Sequence, residues 1–203
     1  MQALSFPIRL NQSDASVTNL HLILLYLLKR LSGLKQPDSP QPLSPKEQLQ
    51  LILLVREEQA GRMFGPQTLA ATRLYQFHLG LSASGEVDER TAMVLNKRVE
   101  DMGGFALTNE YRVEGLIFQI DGNPLATDVK AYDKNLREDT LLGDSKTNAV
   151  GFYEIRYAAD RFTISGKTGP DLYIRVESAT VNENSSIRQN AGRLEEIDWV
   201  IRS

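Results

Sequence analysis

The chain has two histidines and no cysteine among its 203 residues, so few side chains are equipped for chemistry. Lack of cysteine removes disulfides, thiolate metal sites and cysteine nucleophiles together. His21 and His78 fall in two separate helical patterns, without the short His/Cys spacings of a zinc site. Each reads as a packed or half-exposed helical histidine, and no metal ligand is assigned. No Gly-x-Ser-x-Gly elbow presents a serine nucleophile. Ser165-Gly166-Lys167-Thr168 has the tail of a phosphate loop, but the position that needs the leading glycine holds Arg161. It reads as a solvated turn. Asp121, Asp133, Asp144 and Asp160 fall in or near loops and lack EF-hand spacing. They read as a hydrated acidic face, with a loop calcium site as the alternative. Glu57 and Glu58 adjoin on one helix and point to different sides, so they make no acid–base pair. No catalytic residue and no cofactor is implied.

Charge narrows the partners. The formal net charge is −3. Residues 1–108 carry 11 Lys and Arg against 10 Asp and Glu, and residues 109–203 carry 12 against 16. Neither half is the basic body that phosphate neutralisation needs, which argues against nucleic acid. The first 14 residues show no positive cluster ahead of an apolar core, so a standard signal peptide is not evident. The apolar run 20–28 is too short to span a bilayer and reads as a core helix. Localisation stays open between export with a particle and residence in the cytoplasm before release.

The elements that must position these residues change character near residue 109. Ser13, Asp14 and Ser16 offer N-caps ahead of Val17, Leu20, Leu24, Leu27, Leu28 and Leu31, which follow a helical period. Gly33 and the Pro-rich stretch 37–45 stop that helix and predict a loop. Ser44-Pro45-Lys46-Glu47 restarts one, with a capping box and proline at the first helical position, running to about Gln59. Gly65-Pro66 opens a third helix through His78, ended by Gly80, and Asp88 caps a fourth carrying Ala92, Val94 and Leu95.

Residues 101–109, with Gly103-Gly104, read as a linker. Residues 111–120, 129–133, 152–157, 172–177 and 197–201 then read as short strands. Gly143, Asn148, Gly151, Gly166 and Gly169 sit between them, the spacing of a sandwich. The expected fold is α plus all-β in two domains, residues 1–100 and 110–203. Strand 172–177 and the last strand read as edges blunted by Arg175, Glu177, Asp198 and Arg202. Alternation puts Ile197, Trp199 and Ile201 on one face. Trp199 then reads as a core residue, with an exposed partner anchor as the alternative.

The spaced run Phe64-Gly65, Thr68, Ala71, Tyr75-Gln76, Gly80-Leu81, Gly85, Thr91 and Leu95 resembles the peptidoglycan-binding-like family, and Val17-Thr18-Asn19-Leu20-His21 looks like its first-helix line. The resemblance implies a small helical bundle over about 90 residues. In that reading Gly65 permits a tight turn, Thr68 bonds locally, and Tyr75 fills the core while its hydroxyl seeks a partner. The second half is similar to the transthyretin-like or carboxypeptidase-regulatory-like sandwich. The carriers are Val113-Glu114-Gly115, Gly122-Asn123-Pro124-Leu125, Val129-Lys130-Ala131-Tyr132-Asp133, Leu142-Gly143, Asn148-Ala149-Val150-Gly151-Phe152 and Pro170-Asp171-Leu172-Tyr173. The order of the two modules, with Asn190-Ala191 late in the chain, resembles the N-terminal region of insecticidal toxin-complex A-type proteins.

That resemblance implies a non-catalytic pair of accessory modules that meets other subunits of a bacterial toxin or injection particle through protein contacts. The alternative is a cell-wall-targeting protein that binds peptidoglycan. For the helical half the implied binding surface is Arg62, Phe64, Gly65, Gln67 and Arg73. Backbone N–H groups at the third helix start would meet a muropeptide carboxylate, with Arg62 and Arg73 adding charge. The competing reading is that these residues only cap and solvate.

Overall fold

The computed structural model describes residues 1–106, 110–162, 168–177 and 182–202. Among them it holds four α-helices and ten strands in three sheets, none closed. The chain divides into two compact units, Met1–Leu107 and Thr108–Ser203.

In the first unit, α1 (Ala15–Arg30) is buried round most of its circumference, with Leu20, Ile23, Leu24, Leu27 and Leu28 inaccessible. A helix apolar on nearly all sides must sit centrally, and α1 packs against α2 (Pro45–Gly61), α3 (Pro66–His78) and α4 (Glu89–Asp101). Its N-cap is Asp14, whose carboxylate accepts from the amides of Ser16 and Val17. Its far end is closed by Gln48 of α2, buried, whose amide donates to the carbonyls of Leu28 and Leu31. The Ser44–Glu47 capping box forms as expected, and Asp88 caps α4 through the amide of Thr91. The Pro-rich stretch is not a plain loop. Strands β1 (Lys35–Gln36) and β2 (Ser39–Pro42) pair there as a small antiparallel hairpin. Buried Leu34 anchors it, with its carbonyl accepting from the amide of Leu43.

The expected linker also begins too early. Residues 101–106 stay with the helices: Met102 caps α4, and its carbonyl accepts the Tyr26 hydroxyl at 2.8 Å. Gly104 lies where a Cβ would come within 2.6 Å of Val99. Residues 107–109 of that expectation lie outside the described residues.

The second unit has two four-stranded sheets. In one, β3 (Tyr111–Gln119) pairs antiparallel with β6 (Phe152–Tyr157) and parallel with β9 (Leu194–Glu196) and β10 (Trp199–Ile201). In the other the order is β5 (Thr140–Lys146), β4 (Asp128–Asp133), β7 (Leu172–Glu177), β8 (Asn182–Asn184). Val113, Ile117, Tyr153 and Ile155 from the first sheet share one core with Val129, Ala131, Ile174 and Val176 from the second. This is the alternation of a sheet buried on one face.

Three strand expectations change. Gly143 lies inside β5, beside a bulge at Ala131/Tyr132, where Ile155 leaves no room for a Cβ (2.9 Å). Strand β7 is interior, bonded to β4 and β8, so Arg175 and Glu177 guard no edge in the way expected. The terminal strand is broken in two: β9 and β10 flank Ile197 and Asp198, where the Asp198 carboxylate accepts from the amide of Leu116. The Gly166 turn lies outside the described residues.

The break has a cause in Gly115. A Cβ there would stand 2.0 Å from the carbonyl oxygen of Ile197. That same oxygen accepts the Tyr153 hydroxyl at 2.8 Å. Glycine is required here for close backbone approach. The turn at Asn148 is formed as expected, with Gly151 at φ +77° and the Asn148 side chain accepting from the amides of Val150 and Phe152.

Candidate functional site

The five residues implied as a binding surface do not act alike. Phe64 is fully buried. Its amide and carbonyl bond to Gln12 and Asn11, fastening the segment before α1 to the helices. Arg62 is the C-cap of α2 at φ +54° and is exposed. Arg73 is also exposed, with its Nε donating to the carbonyl of Ala83 at 3.1 Å.

Gly65 and Gln67 frame the start of α3, and a residue from another helix dominates there. Glu58 accepts from the amide of Gln67 (2.8 Å), the amide of Thr68 (2.7 Å) and the Thr68 hydroxyl (2.6 Å). A carboxylate at a helix N-terminus is favoured by the free N–H groups and the dipole together. The Gln67 and Thr68 donors offered to an external carboxylate are therefore taken by the chain's own. Gly65 has an ordinary negative φ of −99°. Its lack of a side chain serves Glu58 instead, whose carboxylate oxygen lies 2.4 Å from where a Cβ would be.

The chain of bonds continues inward. Thr68 Oγ1 is 2.7 Å from His21 Nε2, with both residues inaccessible to solvent. Since the Thr68 hydrogen goes to Glu58, His21 carries its proton on Nε2 and donates it to Thr68. Its Nδ1 is buried with no hydrogen-bond partner. Burial, opposed by the Glu58 charge, holds the imidazole below its ordinary value. His21 is thus a packed histidine, as expected.

His78 accepts from the amide of Lys35 at its Nδ1 (3.3 Å), tying α3 to the hairpin. Its pKa is lowered by burial, then by Lys35 and Arg98. The Tyr75 hydroxyl, expected to find a partner, is buried without one, and burial pushes the phenol well up.

Gln76 is the second hub. Its Nε2 donates to the Glu86 carbonyl (2.8 Å) and to Thr91 Oγ1 (3.0 Å), and its Oε1 accepts from the Gly85 amide (2.7 Å). Gln76, Gly85 and Thr91, spaced apart in the sequence, are one knot holding the turn before α4. The sequence carried this signal as a pattern but gave no hint of mutual contact. Glu58 had a weaker signal, a carboxylate near the end of one helix shortly before a Gly-Pro-x-Thr start.

Two open grooves lie on the surface of the first unit among the described residues. One, of about 770 Å³, runs along α4 and is lined by Ala3, Leu79, Met93, Val94 and Phe105 together with the polar Asn96, Lys97, Arg98, Glu100 and Asp101. Met93 is 64% exposed. The other, of about 630 Å³, lies beside the start of α1 and includes Asp14, Thr18, Asn19, Leu22 and Arg62.

In the second unit the outer face of β4 and β7 carries stacked Tyr132 and Tyr173 (5.3 Å), with the Arg175 guanidinium 4.9 Å from the Tyr132 ring. Asp139 accepts the Tyr173 hydroxyl. Burial and this bond raise the Tyr173 phenol to about 12.

The four aspartates weighed as a calcium site are dispersed in role. Asp121 bonds its own turn through Asn123, Asp133 is buried and accepts from the Asp171 amide, Asp144 lies on β5, and Asp160 is in a short 3₁₀ turn. Among the described residues no group of three or more metal-ligating side chains converges, and no helix is long and apolar enough to cross a membrane. Residues 165–167 of the phosphate-loop motif lie outside the described residues.

No family model matches the chain, and no curated protein matches it. Among solved structures it is similar to a 9R-lipoxygenase from Cyanothece PCC8801, with 18% identity over 53% of this chain and a TM-score of 0.35. It is also similar to an (S)-allantoin synthase, with 11% identity over 93% of this chain and 81% of that one, at a TM-score of 0.31. The chain spans 20% of the lipoxygenase's length. At these scores neither neighbour informs the chemistry of this chain.

Proposed function

We propose that this chain is a non-catalytic binding protein, a peptidoglycan-binding-like helical module joined to a transthyretin-like sandwich, that serves a bacterial toxin or injection particle through protein contacts. The observation that carries the reading is the groove on α4. It sets Leu79, Met93, Val94 and Phe105 side by side at the surface, with Met93 largely exposed. Apolar side chains gathered in an open groove favour an apolar protein surface over a sugar. Glu58 supports the same choice. The wall-binding alternative relies on the α3 start to hold a muropeptide carboxylate, and Gln67 and Thr68 already donate to Glu58.

The test pairs two assays on the full chain: sedimentation with purified sacculi, and capture by purified subunits of a bacterial toxin-complex or injection particle. The expected result is capture by a subunit, weakened at least about tenfold by Met93→Asp, with no retention on sacculi. Retention on sacculi that is lost with Arg62→Ala plus Arg73→Ala overturns the proposal in favour of wall binding.

A further inference from the structure

Residues 2–12 form a strap across the helical unit, held by side chains of two helices and a bridge to Val87. Two asparagines on different helices bind its backbone. Asn19 of α1 accepts from the amide of Gln2 at 2.9 Å and donates to the carbonyls of Gln2 and Ala3. Asn96 of α4 accepts from the amide of Leu4 at 2.7 Å and donates to its carbonyl at 3.3 Å. Each side-chain amide thus offers one acceptor and one donor to a peptide backbone, a contact that reads no side chain.

Side chains are read at two places. Leu4 is 6% exposed and Ile8 is fully buried, and Ile8 also forms a two-bond bridge with Val87. Phe6 and Leu10, between and beyond them, are 49% and 45% exposed. Backbone bonds for affinity with spaced aliphatic pockets for selectivity is how proteins take up extended peptides.

The strap is bordered, not entombed. The α4 groove includes Ala3 and Asn96 in its lining, and the groove beside α1 includes Gln2 and Asn19. Open volume therefore lies against the strap at both asparagine clamps, giving a competing segment room to enter.

We propose that the surface between α1 and α4 is a binding site for a non-helical peptide carrying aliphatic side chains four residues apart, which residues 2–8 fill in cis and which a partner chain's segment fills by displacing them. The inference goes beyond the α4 groove proposal and is carried by the asparagine bonds and the two buried aliphatic side chains, not by Met93. A peptide can bind here even if no toxin or injection particle is the partner.

The probe is a fluorescein-labelled synthetic peptide with the sequence of residues 2–9, followed by anisotropy on the full chain. The intact chain should bind weakly, because its own strap occupies the site for most of the time. Leu4→Asp in the protein removes the strap's anchor, and the apparent affinity should rise by about tenfold or more as the competent fraction grows. Adding Asn19→Ala and Asn96→Ala should abolish binding. A peptide with aspartate at its own leucine position should not bind.

Wild-type protein supplies a second readout that does not depend on any variant folding. Excess unlabelled peptide should move the backbone amide NMR signals of the chain's own Leu4 and Ile8 to unstructured positions, because the displaced strap loses its bonds to Asn96 and Val87, while leaving the side-chain amide signal of Gln76 in place. A folded Leu4→Asp chain with no gain in peptide affinity overturns the proposal, as does a wild-type titration in which the Leu4 and Ile8 amide signals stay in place.

Discussion

Thr68 donates its hydroxyl to Glu58 across 2.6 Å, joining the first turn of α3 to the last turns of α2. The bond makes two residues ten apart in sequence into one capping unit, and it needs Gly65 to leave the space in which Glu58 sits.

Coupling between Glu58 and Gly65 follows. Glu58→Ala removes three bonds to a carboxylate at a helix start and should cost about 2–3 kcal/mol. Gly65→Ala should also destabilise, since the new Cβ meets the carboxylate. With Glu58 already alanine, Gly65→Ala should be nearly free. Denaturant unfolding of the two single variants and the double variant measures this, and purely additive losses would show that Gly65 has another reason.

Acid should loosen the helical unit. The folded-state pKa of His21 is lowered from 6.5, chiefly by burial. A depressed base favours the fold while neutral. Its contribution is complete above the unfolded value near 6.5 and is lost as pH falls below it towards the folded pKa. His78 shifts the same way. Stability should therefore fall as pH drops below 6.5, and His21→Gln should flatten that slope without removing it. A slope unchanged by His21→Gln would mean that the orphaned Nδ1 is not the group titrating.

Gly115→Ala should be among the most damaging changes in the second unit. Its Cβ meets a backbone carbonyl, Ile197 O, at 2.0 Å, and a backbone atom cannot step aside as a flexible side chain can. The expected loss is at least about 3 kcal/mol. Tyr153→Phe removes only the bond to that carbonyl and should cost about 1–2 kcal/mol. Thermal unfolding of the two variants gives the order, and equal losses would contradict the steric account.

Trp199 should report an environment between the two expected from sequence. It packs partly buried against the core shared by the two sheets, and its indole N–H donates to Glu183 Oε2 at 3.2 Å. Its fluorescence should be moderately blue-shifted and partly quenchable, with Glu183→Gln moving the emission. A fully protected signal would place the ring inside the core, and a water-like one would free it for a partner.

Local chemistry made much of the fold legible. Asp14, Ser44 and Asp88 start their helices because a side-chain oxygen within a few residues satisfies the free amides, and that needs no distant partner. Strands 152–157 and 172–177 emerged whole, since alternation and β-branched residues act within the strand. What the tertiary structure alone decided is which polar groups meet. Glu58 read from sequence only as no acid–base partner of Glu57 and is a cap for another helix. Gly65 looked like a turn glycine and makes room for that cap. The Pro-rich stretch became a hairpin once buried Leu34 fixed it, and the terminal strand broke where Ile197 turned over Gly115. Sequence determines a residue's own preferences. Its partner across ten, fifty or eighty residues is set by packing, which local patterns do not encode.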